Sequence, residues 1–342
     1  MTENIRMRVL PAEWAEQNAI LLAWPHMATD WNYMLSRAKQ CFADIVRAIT
    51  RTEHLIIVAP DTEAVRQELA DIDLYSITFV QCPTNDTWAR DFGPITVIDG
   101  DTTRALDFRF NAWGLKFAAD KDNLINRNIK ANGALGNTPL DNHLDMVLEG
   151  GSIDTDGCGT ILTTAECLLS PNRNGAWDIT RIEHELQQRL GAKRILWLNH
   201  GALDGDDTDS HIDTLARFTD EHTIVYCRPD DDDNDSQATA LRLMEEELRH
   251  FVDCDGNPYQ LVPLPMPKPI YDSDGNRLPA TYANFLILNR QVLVPTYNQT
   301  ERDKRAIETL SNLFTNRTVS GIDCSPLIEQ HGSLHCVTMQ LL

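Results

Sequence analysis

Ile95-Thr-Val-Ile-Asp-Gly-Asp-Thr-Thr-Arg-Ala-Leu106 reads as two short apolar runs joined by a polar turn. Asp-Gly between such runs is a hairpin signal, because glycine accepts the turn backbone without steric cost. The same strand–turn–strand block returns in Ser152-Ile-Asp-Thr-Asp-Gly-Cys-Gly-Thr-Ile-Leu162, in Ala216-Arg-Phe-Thr-Asp-Glu-His-Thr-Ile-Val225 and in Phe285-Leu-Ile-Leu-Asn-Arg-Gln-Val-Leu-Val294. Ser333-Leu-His-Cys-Val-Thr-Met339 is expected to supply a last strand. The blocks recur roughly every 60 residues. Two architectures fit this pattern: about five strand-rich modules around a centre, or one α+β domain whose hairpins resemble one another by chance.

Between the blocks lie helical patterns. Leu35, Ala38, Phe42, Ile45, Val46 and Ile49 share one face of a helix expected over Met34–Arg51. Further helices are expected near Thr62–Ile72, Ala176–Leu190, Ser236–Phe251 and Thr300–Phe314, with strands at Leu55–Ala59, Ile77–Val80, Arg194–Leu198, Thr223–Cys227 and Val292–Pro295. The most polar stretch, Arg228–Ser236, reads as a solvated loop ending in a Ser236 N-cap. Its spacing is not that of a calcium loop. No linker divides the chain, so residues 1–342 are expected to form one catalytic domain.

Composition narrows the functional classes. A net charge of −21 would repel phosphate backbones and attract cationic ligands, so no nucleic-acid partner is expected. No apolar run is long enough for a bilayer span, and Met1–Leu10 carries Glu3, Arg6 and Arg8 without a signal-peptide core. The eight cysteines contain no C-x-x-C pair, which fits reduced thiols in a cytoplasmic protein better than a zinc ribbon or disulfide scaffold.

Four segments look chemical. Thr84-Asn-Asp-Thr-Trp-Ala-Arg-Asp-Phe-Gly-Pro94 packs Asp86, Arg90 and Asp91 around Trp88, in a loop entering a strand. In Val147-Leu-Glu-Gly-Gly-Ser152, Glu149 precedes two glycines that permit close backbone approach and unusual dihedrals. In Asp206–Asp213, His211 and Asp213 stand two apart and would face one side of an extended strand, as an acid–base pair or as metal ligands. Cys336 follows a glycine-containing turn. Each segment alone also has a plain structural reading as a capped turn, a solvated loop or a core thiol.

Together they hold what attack on a guanidinium requires. The delocalised cation is a poor electrophile, so carboxylates must fix its plane. A soft nucleophile then attacks carbon, and an acid protonates departing ammonia. None of these steps needs a metal.

Trp88-Ala-Arg-Asp91, Phe110-Asn-Ala-Trp-Gly114, Glu149-Gly-Gly-Ser152, Leu162-Thr-Thr-Ala-Glu-Cys-Leu168 with Asn172-Arg-Asn174, and His335-Cys336, preceded by Pro11-Ala-Glu-Trp14 and Leu22-Ala-Trp-Pro25, run in order through nearly the whole chain. In these motifs the sequence resembles the agmatine deiminase family, which includes bacterial peptidylarginine deiminases. The resemblance implies a pentein fold, a five-bladed α/β propeller around a polar centre, and no cofactor. It implies Cys336 as nucleophile through a covalent thiouronium, and His211 as the acid that protonates ammonia and then activates water. It further implies Asp91 and Asp213 on the guanidinium, Glu149 behind the histidine or substrate, and Trp88 and Asp86 at the substrate. Agmatine is the expected substrate, with homo-oligomer formation left open by the sequence; peptidylarginine and other arginine derivatives are the alternatives. Amidinotransferases and dimethylarginine hydrolases share this logic, whereas a non-catalytic ribosome-binding pentein would need neither the residue set nor the acidic charge. The chain departs from the family pattern where Gln330-His-Gly-Ser-Leu-His335 replaces a triple-glycine run, and at Ser210 and Thr214, which replace a glycine and an asparagine.

Overall fold

Each hairpin read from the sequence forms. Ile95–Asp99 pairs antiparallel with Thr102–Arg109, and Gly100 in the intervening turn takes φ of +63°, a conformation that suits glycine. Ile153–Thr155 pairs in the same way with Thr160–Thr164, Ala216–Asp220 with Thr223–Arg228, and Leu286–Ile287 with Gln291–Thr296. In the computed structural model, which describes residues 8–175 and 177–342, every hairpin continues identically. Its second strand runs parallel to a third strand that returns after a helical segment: Leu140–Val147, Arg194–Leu198, Gln260–Pro265 and Thr318–Asp323. Residues 1–7 of the N-terminal stretch, and Ala176 at the expected start of a helix, lie outside the described residues.

The fifth sheet joins distant parts of the chain. Thr338–Leu341 pairs antiparallel with Ala19–Ala23, which is parallel to His54–Ala59 and then to Ile77–Gln81. Five sheets with one repeated connectivity exclude chance resemblance among hairpins and establish the modular architecture. Among the described residues no helix is long and apolar enough to cross a membrane.

Local chemistry explains where elements differ from expectation. The first helix runs Leu35–Ile49 after a 3-10 turn at Asp30–Met34, and it ends where the Thr50 hydroxyl donates to the Val46 carbonyl. The next is shorter than expected, Thr62–Glu68, and the others run Ile179–Leu190, Ser236–Leu248 and Thr300–Leu313. Asp235, not Ser236, is the N-cap: its carboxylate accepts from the Ala238 amide and Ser236 is the first helical residue. Ser333–Val337 is not strand. The amides of His335 and Cys336 bond the Asn284 side-chain oxygen at 2.9 and 3.3 Å, so they are unavailable to a ladder, and the strand starts at Thr338.

Candidate active site

The functional segments fall at equivalent places in the repeat. Asp91 lies just ahead of the first strand of one sheet, Glu149 of the next, His211 and Asp213 of the third, Asn284 of the fourth and Cys336 of the fifth. Each blade therefore delivers polar side chains from the start of its hairpin to one shared centre. Asn284 is the contribution that sequence reasoning missed. Its only signal was its place immediately before the fourth hairpin.

Gly151 locates the convergence. A Cβ there would lie 2.7 Å from His211 Nδ1, 2.8 Å from Asp91 Oδ1 and 3.2 Å from Asp213 Oδ2. The two glycines after Glu149 thus serve close approach, since Gly150 is equally tight against the Arg90 carbonyl; neither has positive φ. The left-handed residues sit elsewhere in the site. Asp209 and Ser210 have φ of 62° and 64°, so His211 leaves a tight loop and caps a 3-10 turn at Ile212–Thr214 rather than lying on an extended strand. Ser210 keeps that backbone through its amide on Asp206 and its hydroxyl on Glu166. Thr214 donates its hydroxyl to the His211 carbonyl.

Asp91 is buried and accepts from the Trp113 indole at 2.9 Å and the Gly151 amide at 3.0 Å, with His211 Nδ1 at 3.6 Å. Burial raises it to about 6, against the pull of His211, with Asp213 and Glu149 adding repulsion. Burial would raise Asp213 too, but His335 Nδ1 at 2.7 Å and nearby positive charge bring it below the usual range. Eight buried side-chain atoms among the described residues have no hydrogen-bond partner, and Asp213 Oδ1 and His211 Nε2, at this convergence, are two of them. Orphaned buried polar atoms are rare unless a ligand or water completes them.

The thiol of Cys336 donates to Asn284 Oδ1 at 3.4 Å. Burial, then the charges of Asp213 and Asp91, push it well above the ordinary thiol range, so it rests protonated. Glu149 is committed to Arg173, whose Nε lies 3.0 Å from both carboxylate oxygens. Arg173 also holds Asp209 at 2.6 Å and the Thr208 carbonyl at 2.7 Å, and so clamps Glu149 to the loop carrying His211. Glu149, Cys167 and His211 are close enough to hold a cation, yet the Arg173 guanidinium on Glu149 opposes one there.

Cys336, Asp91, Trp88 and Asp86 line one cavity of about 280 Å³, while His211, Asp213 and Glu149 pack beyond its lining. Its walls include Trp88, Phe110, Trp113 and Phe117, with the Trp88 and Trp113 rings at 6.3 Å and 75°. Trp113 and its neighbours Ala112 and Leu115 all take positive φ, a strained path that aims the indole at Asp91. Asp30, Asp122 and Asp207 also face the cavity, and among the described residues no lysine or arginine does. Burial raises Asp86 to about 7, helped by Asp30, and raises Asp122 to about 7 as well.

Behind the site His335 bridges Asp213 and Glu13, at 2.7 and 2.8 Å from its two ring nitrogens. Glu13 also pairs with buried Arg217. Glu13, Arg173, Trp113 and Asp122 received no role from sequence, although the first three lie within the ordered motifs.

Five modules of hairpin, helix and strand around one polar centre define the pentein class. Dimethylarginine dimethylaminohydrolase from Pseudomonas aeruginosa shares this fold at a TM-score of 0.51 and 11% identity, over 95% of this chain and all of that one. The sequence profile of Porphyromonas-type peptidyl-arginine deiminases matches residues 9–341, and the chain belongs to that family. A Porphyromonas gingivalis protein provisionally named an arginine deiminase is 51% identical, covering 97% of this chain and 98% of that one, with a TM-score of 0.92. The agmatine deiminase of Campylobacter jejuni, solved with substrate bound, is 38% identical over 98% and 96% of the two chains, with a TM-score of 0.91. A Yersinia pestis protein provisionally named an agmatine deiminase is 33% identical over 97% of this chain and 94% of that protein.

Proposed function

We propose that this protein hydrolyses agmatine to N-carbamoylputrescine and ammonia through a covalent intermediate on Cys336. The observation that carries the substrate is the cavity lining: acidic side chains along its length, aromatic walls, and no lysine or arginine among the described residues. Agmatine has a cation at each end of a short apolar chain and no carboxylate. Free arginine, or a peptide ending in arginine, would bring its carboxylate against Asp30, Asp86, Asp122 and Asp207.

The guanidinium sits against Asp91 at the cavity lining and reaches past it to the unpartnered Oδ1 of Asp213, two carboxylates that match its planar donors. Its positive charge offsets the carboxylate repulsion on Cys336, so substrate binding itself favours the thiolate. The thiol proton passes to His211 as the sulfur forms a bond to the guanidinium carbon. His211 gives a proton to one nitrogen, and the C–N bond breaks to release ammonia, leaving an S-alkylthiouronium. Water, its proton taken by His211, then adds to the same carbon; the C–S bond breaks and the ureido product leaves. Glu149 and Arg173 hold His211 in place. Eight unpaired thiols suit the reducing, cytoplasmic setting this chemistry needs.

The test is ammonia release from agmatine, arginine and an arginine-terminated peptide. Agmatine is expected to give the highest kcat/KM, and Cys336→Ala to lower it by roughly 10³-fold or more. A higher kcat/KM for arginine or the peptide sinks the substrate; full activity in Cys336→Ala sinks the mechanism.

A further inference from the structure

His331 holds a backbone conformation, φ +63° and ψ +7°, that a glycine would adopt without cost. For any other residue this region costs about 1–2 kcal/mol, so its side chain earns attention. Its Nδ1 lies 2.7 Å from the Gly205 carbonyl. A carbonyl only accepts, so Nδ1 carries the proton. Gly205 has no room to retreat, because even a Cβ there would lie 2.2 Å from the Arg277 carbonyl oxygen. On one side of His331, the Gln330 amide donates to the Asp30 carbonyl at 3.0 Å. On the other, Gly332 is pressed so closely on Trp88 that a Cβ would come within 2.1 Å of the ring. Three consecutive residues are thus fastened to three different walls, and all three line the cavity that contains Cys336, as do Asp30, Trp88 and Asp207.

We infer that the Gln330–Gly332 strap, held in place by His331, is the specificity-determining element that restricts this site to guanidines with a short amine tail. The inference rests on the amine-tailed reading of the site given above. A strap tied at both ends fixes how much substrate fits between Cys336 and the outer wall. The short tail of agmatine leaves its ammonium among Asp86, Asp122 and Asp207, whereas a peptide-bearing tail has to displace the imidazole from the Gly205 carbonyl.

The experiment compares kcat and KM for agmatine and for glycyl-arginine amide, which keeps a guanidinium and a terminal cation, lacks a carboxylate and adds bulk. His331→Gly suits the left-handed backbone, so it removes the tether without adding strain. In that variant the KM for agmatine is expected to rise roughly fivefold or more, with kcat changed less than about twofold, while kcat/KM for the dipeptide amide increases. Gln330→Ala, which unties the other end, should move the ratio of the two substrates in the same direction. If the wild-type protein prefers agmatine and neither variant shifts that ratio, the strap assignment is overturned alone. A wild-type protein that turns over the dipeptide amide but ignores agmatine overturns the amine-tailed reading and the strap with it.

Discussion

Asp86 and Asp122 stand together on the cavity wall, Asp122 accepting from the Asp86 amide, and both are raised to about 7. A carboxylate raised this far is protonated on the acid side of neutrality and then offers a cation nothing. Agmatine binding to a Cys336→Ser protein should therefore weaken as pH falls from about 8 to about 6, with proton release on binding at the lower pH. Calorimetry in buffers of different ionisation enthalpy measures both; pH-independent affinity would rule the pair out as the amine site. The sign for stability is opposite. Folded pKa values above the unfolded ones mean a contribution present in acid and lost as pH rises through about 7. Asp86→Asn should accordingly lose less stability than the parent between about pH 6 and pH 8. Legibility in sequence divides along the same scale. Asp91, Glu149, His211, Asp213 and Cys336 sit beside glycines or tight turns in short local signatures. Glu13 and Asn284 act through partners far along the chain, Glu13 on His335 and Asn284 on Asp213 and Cys336, so their sequence neighbours do not say what they bind.

The hairpins were legible because Asp-Gly and Asn-Arg turns are local chemistry, and the parallel strands because their apolar runs are short and buried. Ser333–Val337 was misread as strand because its amides are satisfied by a side chain from another blade. The residue just before that segment, Gly332, is sensitive to a small change. A methyl group on Gly332 would meet the Trp88 ring at 2.1 Å, with the Trp31 ring 5.7 Å from that ring and tilted by 41°. Gly332→Ala should destabilise the protein by about 1–3 kcal/mol and raise the KM for agmatine, through displacement of the indole. Thermal unfolding and steady-state kinetics read the two effects, and an unchanged melting temperature would show that the indole gives way freely. At the other end of an element, Asp235→Ala removes a cap and should cost about 1 kcal/mol with no kinetic consequence.

Across the whole molecule, Arg217 binds the blades to one another. It pairs with Glu13 from the chain leading into the fifth blade and lies 3.4 Å from Asp154 of the second. It also donates to the carbonyls of Ala283 and Phe285 at the fourth. Removing one partner from a buried network strands the remaining charges, so Arg217→Met should cost about 3–5 kcal/mol in chemical denaturation. A loss below about 1 kcal/mol would mean that water satisfies Glu13 and Asp154 instead. At the largest scale, the −21 net charge should draw a dication toward the cavity. Raising salt from about 0.05 to about 0.5 M should therefore increase the KM for agmatine and leave kcat unchanged.

The pairing of Thr338–Leu341 with Ala19–Ala23 has a consequence for the timing of reactivity. Cys336 emerges from the ribosome immediately ahead of the strand that fastens the fifth blade. A nascent chain therefore acquires the proposed nucleophile and its circular closure in one event, and no earlier intermediate can present Cys336 with His211, Asp91 and Asp213 already gathered around it. A chain cut before Thr338 should accordingly be both protease-sensitive and unable to capture a thiol-directed guanidine analogue, with the two deficits appearing together.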